Sequence, residues 1–402
     1  MQTFEFPIGR DRWSLECDPQ RVLPLHRAGT VSEVNDPRAA VAYALEHPLR
    51  YEPLRSTLTS EYQITIVLDE RLPHLLVLLS AVLEHLVTAG VDPAKVTVLT
   101  PPGSRQNWLD DLPDEYQDLH VERHDPTDRK RLSYIASSDS GRRIYLNRTL
   151  VESDTSIVLS GRSYDPLHGY GGCESFLYPL FADAEAWQNY ASQHNFDAPG
   201  KKFWPARQDA VEAAWFLGEP FMVQVIEAPN DTIAAVIAGR TESSQDGQRV
   251  QDGIWRAHVD EQPEIVIATL SGDPLRHDFL DLARALACAA RIVEREGRIV
   301  LLTEAEPHLG DAATILQKSG GLRNAIRRLI EQHPIDMDAA FQWASAAEKS
   351  RLFLHSKIED SIVESMFAAP VANAAQVQRV MAGTGKCAFI PDAHKMMVTV
   401  GV

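Results

Sequence analysis

Short apolar runs, most followed by longer stretches with apolar residues at helical spacing, recur along the 402-residue chain. "YQITIVLDE" (Tyr62–Glu70) reads as a buried strand, and "LPHLLVLLSAVLEHLVTAG" (Leu72–Gly90) as a helix stopped by glycine. "KVTVLTPPG" (Lys95–Gly103) reads as the next strand, so the three predict a parallel pair joined by a crossover helix. "TSIVLSGRS" (Thr155–Ser163) is a further strand and "RQDAVEAAWFLG" (Arg207–Gly218) a further helix. "PFMVQVIEAPNDTIAAVIAG" (Pro220–Gly239) predicts a hairpin turning at Pro229-Asn230-Asp231.

The alternation then restarts. "PEIVIATLSGDP" (Pro263–Pro274) reads as a strand and turn, "HDFLDLARALACAARIVEREG" (His277–Gly297) as an amphipathic helix, and "RIVLLTEAEP" (Arg298–Pro307) as a strand. "CAFIPDAHKMMVTV" (Cys387–Val400) supplies closing strands. The polar stretch Arg240–Gly253 precedes the restart, which places a boundary near Pro263. The class is α/β, with ligands expected at the carboxyl ends of strands.

Length favours two domains over one. The formal charge, 39 − 56 = −17, makes nucleic acid and anionic membranes poor partners and leaves a small molecule as the expected ligand. The first residues lack the basic flank and apolar run of a secretory signal, and no stretch has the length of a membrane span. Four scattered cysteines without a CxxC pair suit free thiols in a cytoplasm and give no metal site.

The densest chemistry lies in "HGYGGCESFLYP" (His168–Pro179), where three glycines accompany an imidazole, a thiol and a carboxylate. His168 reads as a site base or as a solvated loop histidine. Glu174 reads as a site carboxylate or as a group favoured by a helix N-terminus. Arg71 and Arg105 follow successive strands and together would suit a carboxylate or phosphate, with surface pairing to Asp69 or Glu70 as the competing reading. Asp281 and Arg284, three apart on one helix, read as site residues or as an intrahelical pair. "EAEPH" (Glu304–His308) has no ligand spacing that marks a metal site.

Several segments in order resemble the nickel-dependent lactate racemases and related 2-hydroxyacid racemases: "FPIGRDRWSLE", "DPRAAVAYALEHPLRYEPLRS", "RQDAVEAAWFLGEPFMVQVI" and "IVIATLSGDPLRHDFLDLARALACAARIVEREGRIVLLTEAEPHLG". The resemblance implies two α/β domains with a cleft between them. It places the first at residues 1–260, the second at 261–386, and a closing segment, 387–402, that returns to the first. It also implies racemase or epimerase chemistry on a 2-hydroxy acid with a nickel-pincer nucleotide, tethered to a lysine and ligated by a histidine.

The residues depart from that pattern. The glycine stretch resembles the family's tether loop; aligned on Gly171-Gly172, Glu174 stands at the lysine. Tyr164 then stands at the catalytic histidine, with His168 four residues later, and Tyr190 at the nickel-ligating histidine, with His194 out of phase. By the same resemblance Arg105 stands at a second histidine position, and Leu280, Asp281 and Arg284 stand at a Tyr-Gln-x-x-Lys helix motif, keeping its charge at Arg284 but not its tyrosine or glutamine. The expected cleft is therefore lined by Asp69, Arg71, Arg105, Tyr164, His168, Gly171, Gly172, Glu174, Tyr190, Asp281 and Arg284, with no metal ligand among them and no covalent nucleotide expected. Two readings follow: a 2-hydroxyacid racemase or epimerase, with His168, Tyr164, Arg105 and Arg284 as its catalytic groups, or a non-catalytic relative that binds a small anionic metabolite or nucleotide.

Overall fold

Two six-stranded sheets carry the structure, a computed structural model that describes residues 1–138, 141–191, 205–334 and 336–401. The first runs Ile233–Gly239, Phe221–Glu227, Thr155–Gly161, Ile64–Leu68, Val96–Thr100, His120–Arg123. All are parallel except Ile233–Gly239, which closes the predicted hairpin antiparallel to Phe221–Glu227. Its central strands are apolar on both sides because both faces are covered. Ile64, Ile66 and Leu68 pack with Leu78, Leu79 and Val82 of the helix Leu75–Thr88. Val67, Val158 and Met222 point the other way, onto Leu177, Phe181, Ala210 and Ala213.

The second sheet is parallel throughout, in the order Ala368–Pro370, Arg351–His355, Arg298–Leu302, Ile265–Thr269, Cys387–Ile390, Val22–Leu23. Val266 and Ala268 face the helices Phe279–Ile292 and Met337–Lys349. Ile265 and Ile267 face Phe6, Ile8, Leu15 and Cys17 of the N-terminal hairpin Gln2–Ile8/Asp11–Cys17.

The chain ends therefore sit otherwise than the sequence suggested. Residues 1–23 lie on the second sheet, not the first; the first has no bare face to take the hairpin's apolar residues. Cys387–Ile390 is inserted between Ile265–Thr269 and Val22–Leu23. Only Met397–Val400 turns back, to pair with Arg256–Val259, which in turn pairs with His26–Arg27. The polar stretch at Arg240–Gly253 is also mostly helix, Ser244–Trp255, because Gly247, Gln251 and Ile254 recur at helical spacing on its buried side. Among the described residues no helix is long and apolar enough to cross a membrane.

Candidate functional site

The strand Ile64–Leu68 ends at Asp69, whose two oxygens accept from the backbone N–H of Arg71 (3.0 Å) and Gly161 (3.1 Å). Burial pushes the Asp69 carboxyl up, against the pull of Arg71 and these donors. The Arg71 guanidinium crosses to the second sheet's helix Phe279–Ile292, reaching Asp278 at 2.9 Å and Asp281 at 2.7 Å. Those aspartates cap that helix reciprocally: Asp278 accepts from the Asp281 N–H, and Asp281 from the Asp278 N–H. Burial alone would raise the Asp281 carboxyl, but Arg71, His394 and Arg284 hold it well below the usual range. The competing surface pair is absent: Glu70 instead accepts from Ser104 Oγ (2.7 Å) and Trp108 Nε1 (2.5 Å).

One helical turn on, Arg284 Nε donates to Asp165 Oδ2 at 2.7 Å, while its contact with Asp281 is a looser 3.8 Å. Asp165 Oδ1 accepts from the N–H of Leu167 (2.7 Å) and His168 (3.1 Å), which shapes the turn before the glycines. Burial opposes the Asp165 charge, but Arg284 and His168 outweigh it and its pKa is lowered. His168 is buried, not solvated. Its Nε2 lies 3.0 Å from Asp338 Oδ2, on the helix Met337–Lys349, and its ring packs on Tyr190 with centroids 4.3 Å apart. Asp165 and His168 thus meet Arg284 and Asp338 across the seam between the sheets.

The glycines admit two guanidinium groups to the backbone. A Cβ on Gly172 would stand 2.5 Å from Arg162 Nη1, and one on Gly171 would stand 3.2 Å from Arg207 Nη2. Arg207 donates to the carbonyls of His168 (2.8 Å) and Gly169 (3.3 Å). Arg162 donates to Gln224 (2.6 Å) and Ser244 (3.1 Å). Burial lowers the Arg162 pKa, and the chief opposing charge is Glu174. Glu174 is only 5% exposed, and its Oε1 has no hydrogen-bond partner among the described residues. It does not cap the helix Cys173–Leu177; Ser175 Oγ does so, bonding both the N–H and the carbonyl of Gly172 at 2.9 Å.

Two expected residues stand apart. Tyr164 is buried under the Arg291 guanidinium, 5.2 Å from its ring centroid, and packs edge-on against Tyr170. Burial raises its phenol, which suits packing better than base chemistry. Arg105 is exposed and shares no ion pair with the described residues, and Arg71 is turned to Asp278 and Asp281, so the two arginines do not converge. A hollow of about 600 Å³ opens beside that strand end, between Pro102, Gly103, Arg123, Asp125 and Arg131, outside the seam. His194 lies outside the described residues.

Sequence reasoning missed Asp165, Arg162, Arg207, Asp338, and the buried pair His277 and His394, whose rings lie 5.3 Å apart. Asp165 and Arg162 lie within or beside quoted runs, but Asp338 comes from a helix far along the chain that no motif marked.

Residues 8–196 match the lactate racemase N-terminal domain. That stretch carries a lactate racemase N-terminal domain. The chain has the fold of the lactate racemase apoprotein from Thermoanaerobacterium thermosaccharolyticum, with a TM-score of 0.82 at 17% identity, covering 99% of this chain and 100% of that one. A Thermotoga maritima protein solved by a structural genomics consortium is similar at a TM-score of 0.67 and 11% identity, over 92% of this chain and 100% of that one. No curated protein matches the sequence.

The residues of this lactate racemase relative do not fit a tethered nickel nucleotide. Where the resemblance puts the lysine, a carboxyl cannot form the tether's link, and Glu174 lies buried beside Arg162. Where the resemblance puts the nickel ligand, Tyr190 offers a phenol whose pKa burial raises, a poorer metal donor than an imidazole.

Proposed function

We propose that this lactate racemase relative binds a small anionic molecule of the 2-hydroxy-acid class at the seam between its sheets, without nickel-nucleotide racemisation. The observation that carries the proposal is Glu174, a buried carboxylate where the family resemblance puts the tethering lysine. Arg71 keeps half of its side chain exposed, so a ligand carboxylate would compete with Asp278 and Asp281 for its planar fork. The 2-hydroxyl would meet the edge formed by Asp165, His168 and Arg284. We extend the proposal to two domains meeting near residues 255–265 and to a cytoplasmic setting, which four free, buried cysteines suit.

The pair of His168 and Asp338 favours a second reading, a racemase or epimerase of a 2-hydroxy acid. An imidazole whose Nε2 is held by a carboxylate is built to take and return a hydroxyl proton at its other nitrogen, Nδ1. Titration calorimetry with each enantiomer of lactate and of longer 2-hydroxy acids, followed by chiral chromatography, separates the readings. Saturable binding without interconversion is expected. Interconversion establishes the second reading, and neither binding nor turnover defeats both.

A further inference from the structure

Away from the seam, three side chains from two distant parts of the chain converge on one face of a small sheet. His26 on the strand His26–Arg27 is the direct antiparallel partner of His258 on Arg256–Val259. Directly opposed residues bring their side chains to the same face. Asp260 lies in the bend just past that strand, and its carboxylate turns to His26. The imidazoles are stacked with centroids 4.9 Å apart and an interplanar angle of 21°, and His26 Nε2 lies 3.4 Å from Asp260 Oδ2. One ligand atom from each of the three lies within 4.8 Å of the others.

We infer that His26, His258 and Asp260 form a site for one divalent transition-metal ion of the zinc or nickel kind. Two imidazoles and a carboxylate are ordinary first-row donors, and three protein ligands leave a position for water. Tetrahedral donors at zinc bond lengths stand about 3.3 Å apart. The gathered atoms are within 4.8 Å of one another, and His26 and Asp260 are exposed and His258 half-buried, which leaves their side chains room to close around an ion. The backbone beneath them is held by Met397–Val400, the parallel neighbour of Arg256–Val259. A bound ion would clip residue 26 to residue 258, more than two hundred positions apart, and so favour the folded state by mass action. It also separates nickel content from the seam: nickel held here says nothing about Glu174 or Tyr190.

The test uses full-length, untagged protein freed of metal with chelator and titrated calorimetrically with zinc chloride and, separately, nickel chloride. One equivalent is expected to bind and to raise the melting temperature. Outer-shell changes already cost roughly 10–100-fold in metal affinity, so His258→Ala and His26→Asn should each weaken binding at least tenfold. Their metal-free melting temperatures should stay at the wild-type value, since the removed side chains carry little packing. Wild-type protein that binds neither ion, or variants that bind both as tightly as wild type, overturns the inference.

Discussion

Arg284 Nε and Asp165 Oδ2, 2.7 Å apart and both largely buried, join the long helix of the second sheet to the turn that leads into the glycine loop of the first. The aspartate's other oxygen holds that turn through two backbone N–H groups, so one carboxylate sets the loop and the seam together. Truncating one partner of a buried ion pair strands the other charge, at a cost of about 3–5 kcal/mol. Arg284→Met is therefore expected to lower unfolding stability by that amount in urea. The double variant with Asp165→Asn should recover part of the loss, since it removes the stranded charge. A loss below about 1 kcal/mol in the single variant would show that water reaches the pair.

Stability should fall with acid because of two histidines near the same helix. Burial lowers the His277 imidazole and drives that of His394 well below its ordinary value. A histidine with a depressed folded pKa binds its proton first in the unfolded chain. Its contribution is complete above the unfolded value near 6.5 and is lost as pH falls through and below it. Each such histidine adds a slope of up to about 1.4 kcal/mol per pH unit. Denaturation curves from pH 7.5 to 5 should show this decline, and His394→Gln should flatten it. An unchanged slope would mean that His394 is protonated in the folded protein.

The fold was legible where local pattern and burial agree. The runs at Ile64–Leu68 and Ile265–Thr269 became central strands because five successive buried positions leave no amphipathic alternative. The placement of residues 1–23 was not legible: the hairpin's alternation fixes which side is buried but not which sheet it meets. The structure brings Arg71, read from a strand end, His168, read from a glycine turn, and Asp281 and Arg284, read from one helix, together along the seam. Their partners were hidden, because Asp338 pairs with His168 across 170 positions and bears no local mark. Tyr164 was chosen by alignment and Arg105 also by its strand-end place; Tyr164 packs under Arg291, and Arg105 is exposed with no ion pair among the described residues.

The cysteines should be chemically silent in the folded protein. All four are buried, and burial pushes the Cys173 and Cys387 thiols up to about 12 and the Cys288 thiol to about 11. Thiolate, the reactive form, is scarce at such values near neutral pH. Ellman's reagent is expected to find no fast-reacting thiol in native protein and four after guanidinium denaturation. Rapid labelling of Cys173 would place the glycine loop in water and undo the account of Glu174 given above.

Glu174 carries the sharpest consequence. Its carboxylate is buried, faces the Arg162 guanidinium, and holds an oxygen without a hydrogen-bond partner among the described residues. Glu174→Lys would set an ammonium against that guanidinium. Like charges at short range in a buried site are costly, so the variant should be less stable than wild type, while Glu174→Gln should be affected least. Co-expressed with cofactor-making enzymes, neither wild type nor Glu174→Lys should gain mass from a bound nucleotide. Lactate racemisation by the lysine variant should be absent, because Tyr190 still stands where the resemblance puts the metal's histidine. Nickel must be measured in a His258→Ala background, so that the surface cluster does not report in place of the seam. Intact-mass spectrometry decides the question: a nucleotide adduct on wild-type protein, or lactate racemisation by Glu174→Lys, would mean that the glycine pair does not align the loop and that Glu174 is not the residue at the tether.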